Sequence, residues 1–187
     1  MKESSVKKKT WVLLAVFTLL IVALDQLTKL LTVKHIPFGG DVAVIRNVLH
    51  LTYVQNEGAA FSMLSGMRWL FVVLVAVYFA VLALLIKKKV FDRPAELWCL
   101  AAISGGAVGN LIDRIATGKV TDMIDLRFLK LPLPSFTDGH LKFAITPFAI
   151  FNVADIFITC GVIALAVCIL FFSGKKQKKE KSDDTAQ

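Results

Sequence analysis

The chain has 187 residues, 56% of them hydrophobic, and a formal net charge of +8; its mean hydropathy is +0.68. That is too apolar for an ordinary soluble domain, and the apolar residues gather into long runs, so the bilayer is the expected solvent. The basic balance does not point to nucleic acid, because the lysines cluster at the ends of those runs, where they set topology. Cys99, Cys160 and Cys168 all sit inside apolar runs. An odd number so placed makes no disulfide framework and reads as buried small hydrophobes.

Lys2, Lys7, Lys8 and Lys9 precede the first run, Trp11 to Leu31. A basic start and an apolar stretch also suit a signal peptide, but Leu24 and Asp25 stand where small cleavage-site residues belong, so a retained helix is expected. As a helix its 21 residues span about 31 Å, close to the hydrocarbon thickness. Asp25 and Lys29 are spaced i,i+4 on one face. They read equally as a self-neutralised pair, with Lys29 reaching water, or as support for a site.

Loop 32–68 opens with the turn residues Pro37 to Gly40, and Val48 to Val54 reads as a short strand forming a hairpin with Val42 to Arg46. In the stretch that follows, Gln55 to Ser62, Gly58 and its small neighbours allow close backbone approach, and Asn56 can bond an extended peptide. Residues 69–86 form the second span, ended by Lys87 to Lys89. The third, 97–113, is less apolar and carries Gly105 and Gly109 at GxxxG spacing, which suits a packed helix better than a lipid-facing one. Loop 114–150 contains Pro132, Pro134 and Pro147. Residues 151–172 are the fourth span, and the lysine-rich tail 173–187 is expected to be disordered from Lys175.

The N-terminus, the 87–96 loop and the tail hold 4, 4 and 5 Lys/Arg. Alternation puts all three on one side, which is then cytoplasmic, with loops 32–68 and 114–150 outside. The fold class is an all-α membrane protein, a bundle of four transmembrane helices in a single domain with a small extracytoplasmic β region. Measured from the cytoplasmic ends, Asp25, Asp113 and Asp155 lie about 21, 24 and 26 Å along their helices. Three helices thus bring a carboxylate to similar depth near the outer interface. Asn110 with Asp113, and Asn152 with Asp155, share helix faces at i,i+3.

Carboxylates beside apolar runs are costly and so point to function. Asp122 follows Asp113 closely, and two neighbouring carboxylates share a proton, the state in which one activates water and the other polarises a carbonyl. This chemistry suits an aspartyl peptidase, with Asp155 paired to Asp122 or to Asp125; spacing alone does not choose between them. Asp113 beside Arg114 also reads as an ion pair or interface anchor. A cation held by Asp122, Asp125 and Asp155 lacks any calcium-loop spacing. His35, His50 and His140 read as surface or interface residues. A transporter would show an internal repeat and acids lining a path across the membrane, and neither is visible. An assembly factor would tolerate Asp→Asn exchanges.

The blocks LDQLTK (Leu24 to Lys29), NEGAAFS (Asn56 to Ser62), GNLIDRIATGKVTDMID (Gly109 to Asp125) and FNVAD (Phe151 to Asp155) resemble, in that order, those of the lipoprotein (type II) signal peptidases. The resemblance covers nearly the whole chain. It implies a metal-free, cofactor-free peptidase of the bacterial cytoplasmic membrane. Its substrate is a prolipoprotein bearing a diacylglyceryl cysteine, cut just before that cysteine, within the lipid bilayer's reach. The resemblance implies Asp122 and Asp155 as catalysts. Asp25, Lys29, Asn56, Gly58, Asn110, Asp113, Arg114, Asn152 and Ala154 fall in the matching blocks as supporting residues. It also implies a β-cradle in loop 32–68 and inhibition by the cyclic peptide globomycin. Met123 departs from the pattern, where an aromatic residue is common, and bears on the pocket wall.

Overall fold

The computed structural model describes residues 8–58, 66–91, 93–128, 130–137 and 140–184. Lys2 and Lys7, the residues 59–62 of the second block and the last three residues lie outside the described residues. Among the described residues four helices are long and apolar enough to cross a membrane: α1 (Lys8–His35), α2 (Arg68–Lys87), α3 (Pro94–Ala116) and α4 (Val153–Asp184). The apolar part of α4 is Val153–Phe171, yet the helix runs on to Asp184, where the sequence suggested a disordered tail. Lys, Gln and Glu are good helix formers, and extending an existing helix is easier than starting one.

Packing divides the chain into two compact units: Met1–Ala23, Leu74–Gly109 and Ala154–Gln187, and then Leu24–Val73 with Asn110–Val153. In the first unit α3 is the central helix. Its most apolar window is 61% buried, against 17%, 6% and 11% for those of α1, α2 and α4. Thr18 Oγ1 of α1 donates to the Ala101 carbonyl at 3.2 Å, and Tyr78 of α2 meets Ser104 at 3.0 Å. Leu14, Leu97 and Ala101 form a small core with Phe17 and Phe91 against it. Side chains such as Leu20, Leu74 and Leu170 stay exposed, as a lipid-facing surface requires. Cys160 is also exposed, which corrects the expectation of burial, because lipid accepts a thiol as readily as a core does.

The glycines of α3 divide their work. A Cβ on Gly105 would stand 2.9 Å from Ile21 Cβ of α1, and one on Gly106 would collide with the Ala154 carbonyl and Ile158 of α4. Two adjacent glycines thus admit two different helices to the α3 backbone, the close approach that small residues permit in membranes. Gly106→Leu is expected to lower stability by about 1–3 kcal/mol through overpacking; thermal unfolding in detergent measures it.

The second unit contains a three-stranded antiparallel sheet in the order β1 (Asp41–Ile45), β2 (Leu49–Asn56), β3 (Val120–Leu126). Asn47 takes the left-handed turn position at φ 63°, a conformation Asn tolerates well. The β1–β2 hairpin matches the sequence reading, whereas β3 falls in what read as loop. So do β4 (Lys130–Thr137) and β5 (His140–Pro147), a separate two-stranded ribbon. Pro132 and Pro134 lie within β4, and both strands of a ribbon are edges, where proline is tolerated.

On one face of the sheet Asp41 lies 2.9 Å from His50 Nδ1 and accepts from Thr52 Oγ1 at 3.2 Å and from Arg127 Nη2 at 2.6 Å. His50 is buried, which corrects the surface alternative in its reading as a surface or interface residue. Desolvation alone would raise the Asp41 carboxyl, but the His50 and Thr52 hydrogen bonds and the Arg127 charge hold it below its usual 3.8. A depressed folded value stabilises well above that figure, and the stabilisation is lost as pH falls through the folded value. Solvent screens the cluster, so the effect is small. Amide exchange in β1 is expected to quicken on acidification below 3.8 in wild type, and to show little further change in Asp41→Asn.

Candidate active site

The second unit collects the polar residues. Asp25 and Lys29, one turn apart on α1, meet at 2.8 Å. The Lys29 ammonium also contacts Asp113 Oδ2 at 3.0 Å and donates to Asn110 Oδ1 at 2.9 Å. Its three N–H bonds therefore each have an acceptor. Lys29 is 4% exposed and Asp25 fully buried, so the ammonium does not reach water. Removing one member of such a buried cluster costs about 3–5 kcal/mol, because the others stay charged and unsolvated.

Asp113 joins the helices to the sheet. Its Oδ1 accepts from Gln26 Nε2 at 3.0 Å, and its Oδ2 accepts the Thr121 backbone N–H at 3.0 Å. Gly118, at φ 81°, takes the left-handed position that commonly follows a helix end. With that turn and the Thr121 bond, α3 leads straight into β3, and Asp122 comes next. Asp113 therefore pairs with Lys29, while its neighbour Arg114 donates to the Gly58 carbonyl at 2.9 Å and covers the Phe71 ring at 4.2 Å.

Phe151 closes the arrangement. Its N–H donates to the Ile124 carbonyl at 3.1 Å, and its carbonyl accepts from the Met123 and Ile124 N–H groups at 3.0 and 2.8 Å. This bridge beside β3 fixes the next residue, Asn152, which is fully buried. Asn152 Nδ2 donates to Asn110 Oδ1 at 3.1 Å and to Asp122 Oδ1 at 2.7 Å. The other oxygen of Asp122 accepts from Asn56 Nδ2 at 3.1 Å, and Asn56 Oδ1 in turn accepts the Gly58 N–H at 3.0 Å. Asp122 is 3% exposed and receives a carboxamide N–H on each oxygen, an environment suited to a carboxylate.

Of the residues singled out in the sequence, Asp25, Lys29, Asn56, Gly58, Asn110, Asp113, Arg114, Asp122 and Asn152 thus form one continuous network. Ala154 and Asp155 belong to the first unit. Ala154 is fully buried against Gly106, and Asp155 occupies the first turn of α4, where the helix dipole favours negative charge. Asp125 differs from Asp122. Three residues further along β3 it points to the opposite face, and Arg127 Nε bonds it at 3.0 Å. Among the described residues no three His, Cys, Asp or Glu side chains gather as a metal site would require.

Gln26, Phe71 and the Phe151 backbone escaped the sequence reading. Gln26 carried a signal, since a carboxamide inside an apolar helix seeks an interhelical partner. Met123, buried, lines an apolar cavity of about 460 Å³ together with Thr28, Thr32, Leu51 and Val153.

Membrane helices that bury this many ionisable and carboxamide groups at one place define a membrane protein with a functional centre, not a passive anchor. The chain belongs to the signal peptidase II family, whose description, "Signal peptidase (SPase) II", matches residues 17–171. It is 36% identical over 158 residues to a lipoprotein signal peptidase of Streptococcus agalactiae serotype Ia, covering 84% of this chain and 92% of the relative. Identity is 37% over 158 residues with that of Brevibacillus brevis, covering 84% and 94%. With that of Streptococcus pyogenes serotype M2 it is 40% over 166 residues, covering 87% and 94%. A solved structure described as a bacterial membrane enzyme superposes with a TM-score of 0.73 at 28% identity, covering 87% of this chain and 90% of that one. The chain is a membrane-spanning peptidase of a bacterial family.

Proposed function

We propose that this protein removes the signal peptide from diacylglyceryl-modified prolipoproteins, cutting before the lipidated cysteine, with Asp122 and Asp155 as the catalytic pair. The observation that carries the reading is Asp122 itself: a buried carboxylate bonded on both oxygens by Asn56 and Asn152, in a chain of the signal peptidase II family. Its relatives named lipoprotein signal peptidase support the substrate class. Asp155, three residues past Asn152, is the second acid. Two such groups acting on one water share a proton, so one takes a proton from water while the other protonates the carbonyl oxygen.

The distribution of lysines supports cytoplasmic termini and a reaction at the outer face. That is where a cysteine anchored by its acyl chains presents the bond before it. The purified protein in detergent is expected to cleave a diacylglyceryl-modified prolipoprotein and to leave the unmodified precursor intact, with globomycin blocking the reaction. Equal cleavage of both precursors would overturn the assignment of the lipidated substrate, and no cleavage of either would overturn the function.

A further inference from the structure

We infer that Asp122 enters the reaction as the carboxylate, with the proton on Asp155, and that Lys29 is the positioning residue that sets this state through Asn110 and Asn152. The inference rests on the reading of Asp122 and Asp155 as the catalytic pair.

The argument is one of donor polarity. An ammonium only donates, so the Asn110 atom 2.9 Å from Lys29 has to be its oxygen. That oxygen also faces Asn152 at 3.1 Å, where a donor is required, so Asn152 presents its NH2. The same NH2 lies 2.7 Å from Asp122 Oδ1, and its two hydrogens serve Asn110 and Asp122. A second obligate donor works from the other side. The Gly58 N–H at 3.0 Å fixes the oxygen of Asn56, which turns the Asn56 NH2 toward Asp122 Oδ2 at 3.1 Å.

Both carboxamides next to Asp122 are therefore set from a distance, and both point N–H groups at it. A carboxylate accepts both. Two N–H donors aimed at one carboxyl favour its charged form over its neutral one. The two flanking cations hold the ends of this chain: Lys29 bonds Asn110, and Arg114 bonds the Gly58 carbonyl at 2.9 Å. Lys29 touches neither Asp122 nor the reacting atoms. It acts by dictating which way two amides face.

The assignment gives each acid one task. Asp122 takes a proton from water as the water oxygen bonds to the scissile carbonyl carbon, and the Asp155 proton passes to the carbonyl oxygen. In the collapse the C–N bond breaks and Asp122 returns its proton to the departing amine nitrogen. In the same event the carbonyl re-forms, and the diol hydroxyl that becomes its oxygen gives its proton back to Asp155. Both acids end as they began.

The test is carboxyl 13C NMR of the full-length, Asp-labelled protein in detergent near neutral pH, with Asp122→Asn and Asp155→Asn supplying the assignments. The resonance lost in Asp122→Asn is expected to be an ionised carboxylate, and the one lost in Asp155→Asn a protonated acid. The reverse assignment, or two ionised groups, overturns the inference.

Kinetics separate positioning from simple neutralisation of Asp25 and Asp113. Lys29→Met is expected to lower kcat by about 100-fold with little change in KM and to move the protonated signature to Asp122. Lys29→Arg, which keeps an obligate donor, is expected to restore the carboxylate signal and most of the rate. Because a lone Met beside two buried carboxylates can fail to fold, the charge-free Asp25→Asn/Lys29→Met/Asp113→Asn variant is measured as well. It is expected to remain slow, and recovery of full activity in it would reduce Lys29 to a neutraliser and overturn its positioning role. Wild-type cleavage rates in Asp155→Asn would instead bring down the catalytic pair itself, a result distinguishable from a swapped NMR assignment.

Discussion

Asp122→Asn and Asp155→Asn are each expected to reduce cleavage of a lipidated prolipoprotein by at least about 10²- to 10⁴-fold, the range for losing a positioned acid or base. Asp125→Asn is expected to stay within about twofold of wild type. The contrast follows from the pleat of β3. Asp122 faces the buried amides of Asn56 and Asn152, while Asp125 lies on the other face, paired with a half-exposed Arg127. The exchange at position 122 keeps the side-chain shape and one acceptor oxygen and removes a buried charge, so the protein is expected to fold. A turnover assay on monodisperse protein, with melting temperature as control, measures the contrast. Near-wild-type turnover in Asp155→Asn would exclude the paired mechanism, and a dead Asp125→Asn would move the chemistry to the wrong face of the strand.

The helices were legible because the bilayer requires long apolar runs, a stronger sequence signal than any soluble helix leaves. The acids were legible for the complementary reason, since Asp25, Asp113 and Asp122 stand out where ionisable groups are expensive. The path by which Asp122 reaches its partners was not. VTDMIDL breaks polar–apolar alternation at Thr121-Asp122 and again at Met123-Ile124, so it carries no clean strand period, and only its pairing with β2 and the Phe151 bridge makes it a strand.

The i,i+4 spacing of Asp25 and Lys29 told that they share a face. It did not tell that Asp113 and Asn110 from another helix complete the shell and bury the ammonium. In the same way GxxxG spacing marked α3 as a packing helix, but it did not tell that Gly105 faces α1 while its immediate neighbour Gly106 faces α4. Which turn faces which helix depends on where the partners lie, and periodicity within one helix does not contain that.

Asn152→Leu is expected to be the most damaging substitution of a residue that is not itself an acid or base. The side chain is close in volume, so the loss is polar. Asp122 Oδ1 loses a buried donor, at about 1–3 kcal/mol of stability, while Asn110 Oδ1 loses its bond from Asn152 and keeps the one from Lys29. Asn152 also immediately precedes α4, where a side-chain oxygen is favoured as a cap, so a further ~1 kcal/mol is expected from the helix start. Turnover should fall by about 10²- to 10³-fold, as when a preorganised donor is removed from a catalytic centre. The Asn152→Ser protein separates the two effects. Its hydroxyl keeps an oxygen to cap α4 but is too short to bridge Asn110 and Asp122, so its melting temperature should recover toward wild type above that of Asn152→Leu while its turnover remains low. If activity returned along with stability in Asn152→Ser, the amide would matter to the helix alone, and the bond to Asp122 would have no part in the reaction.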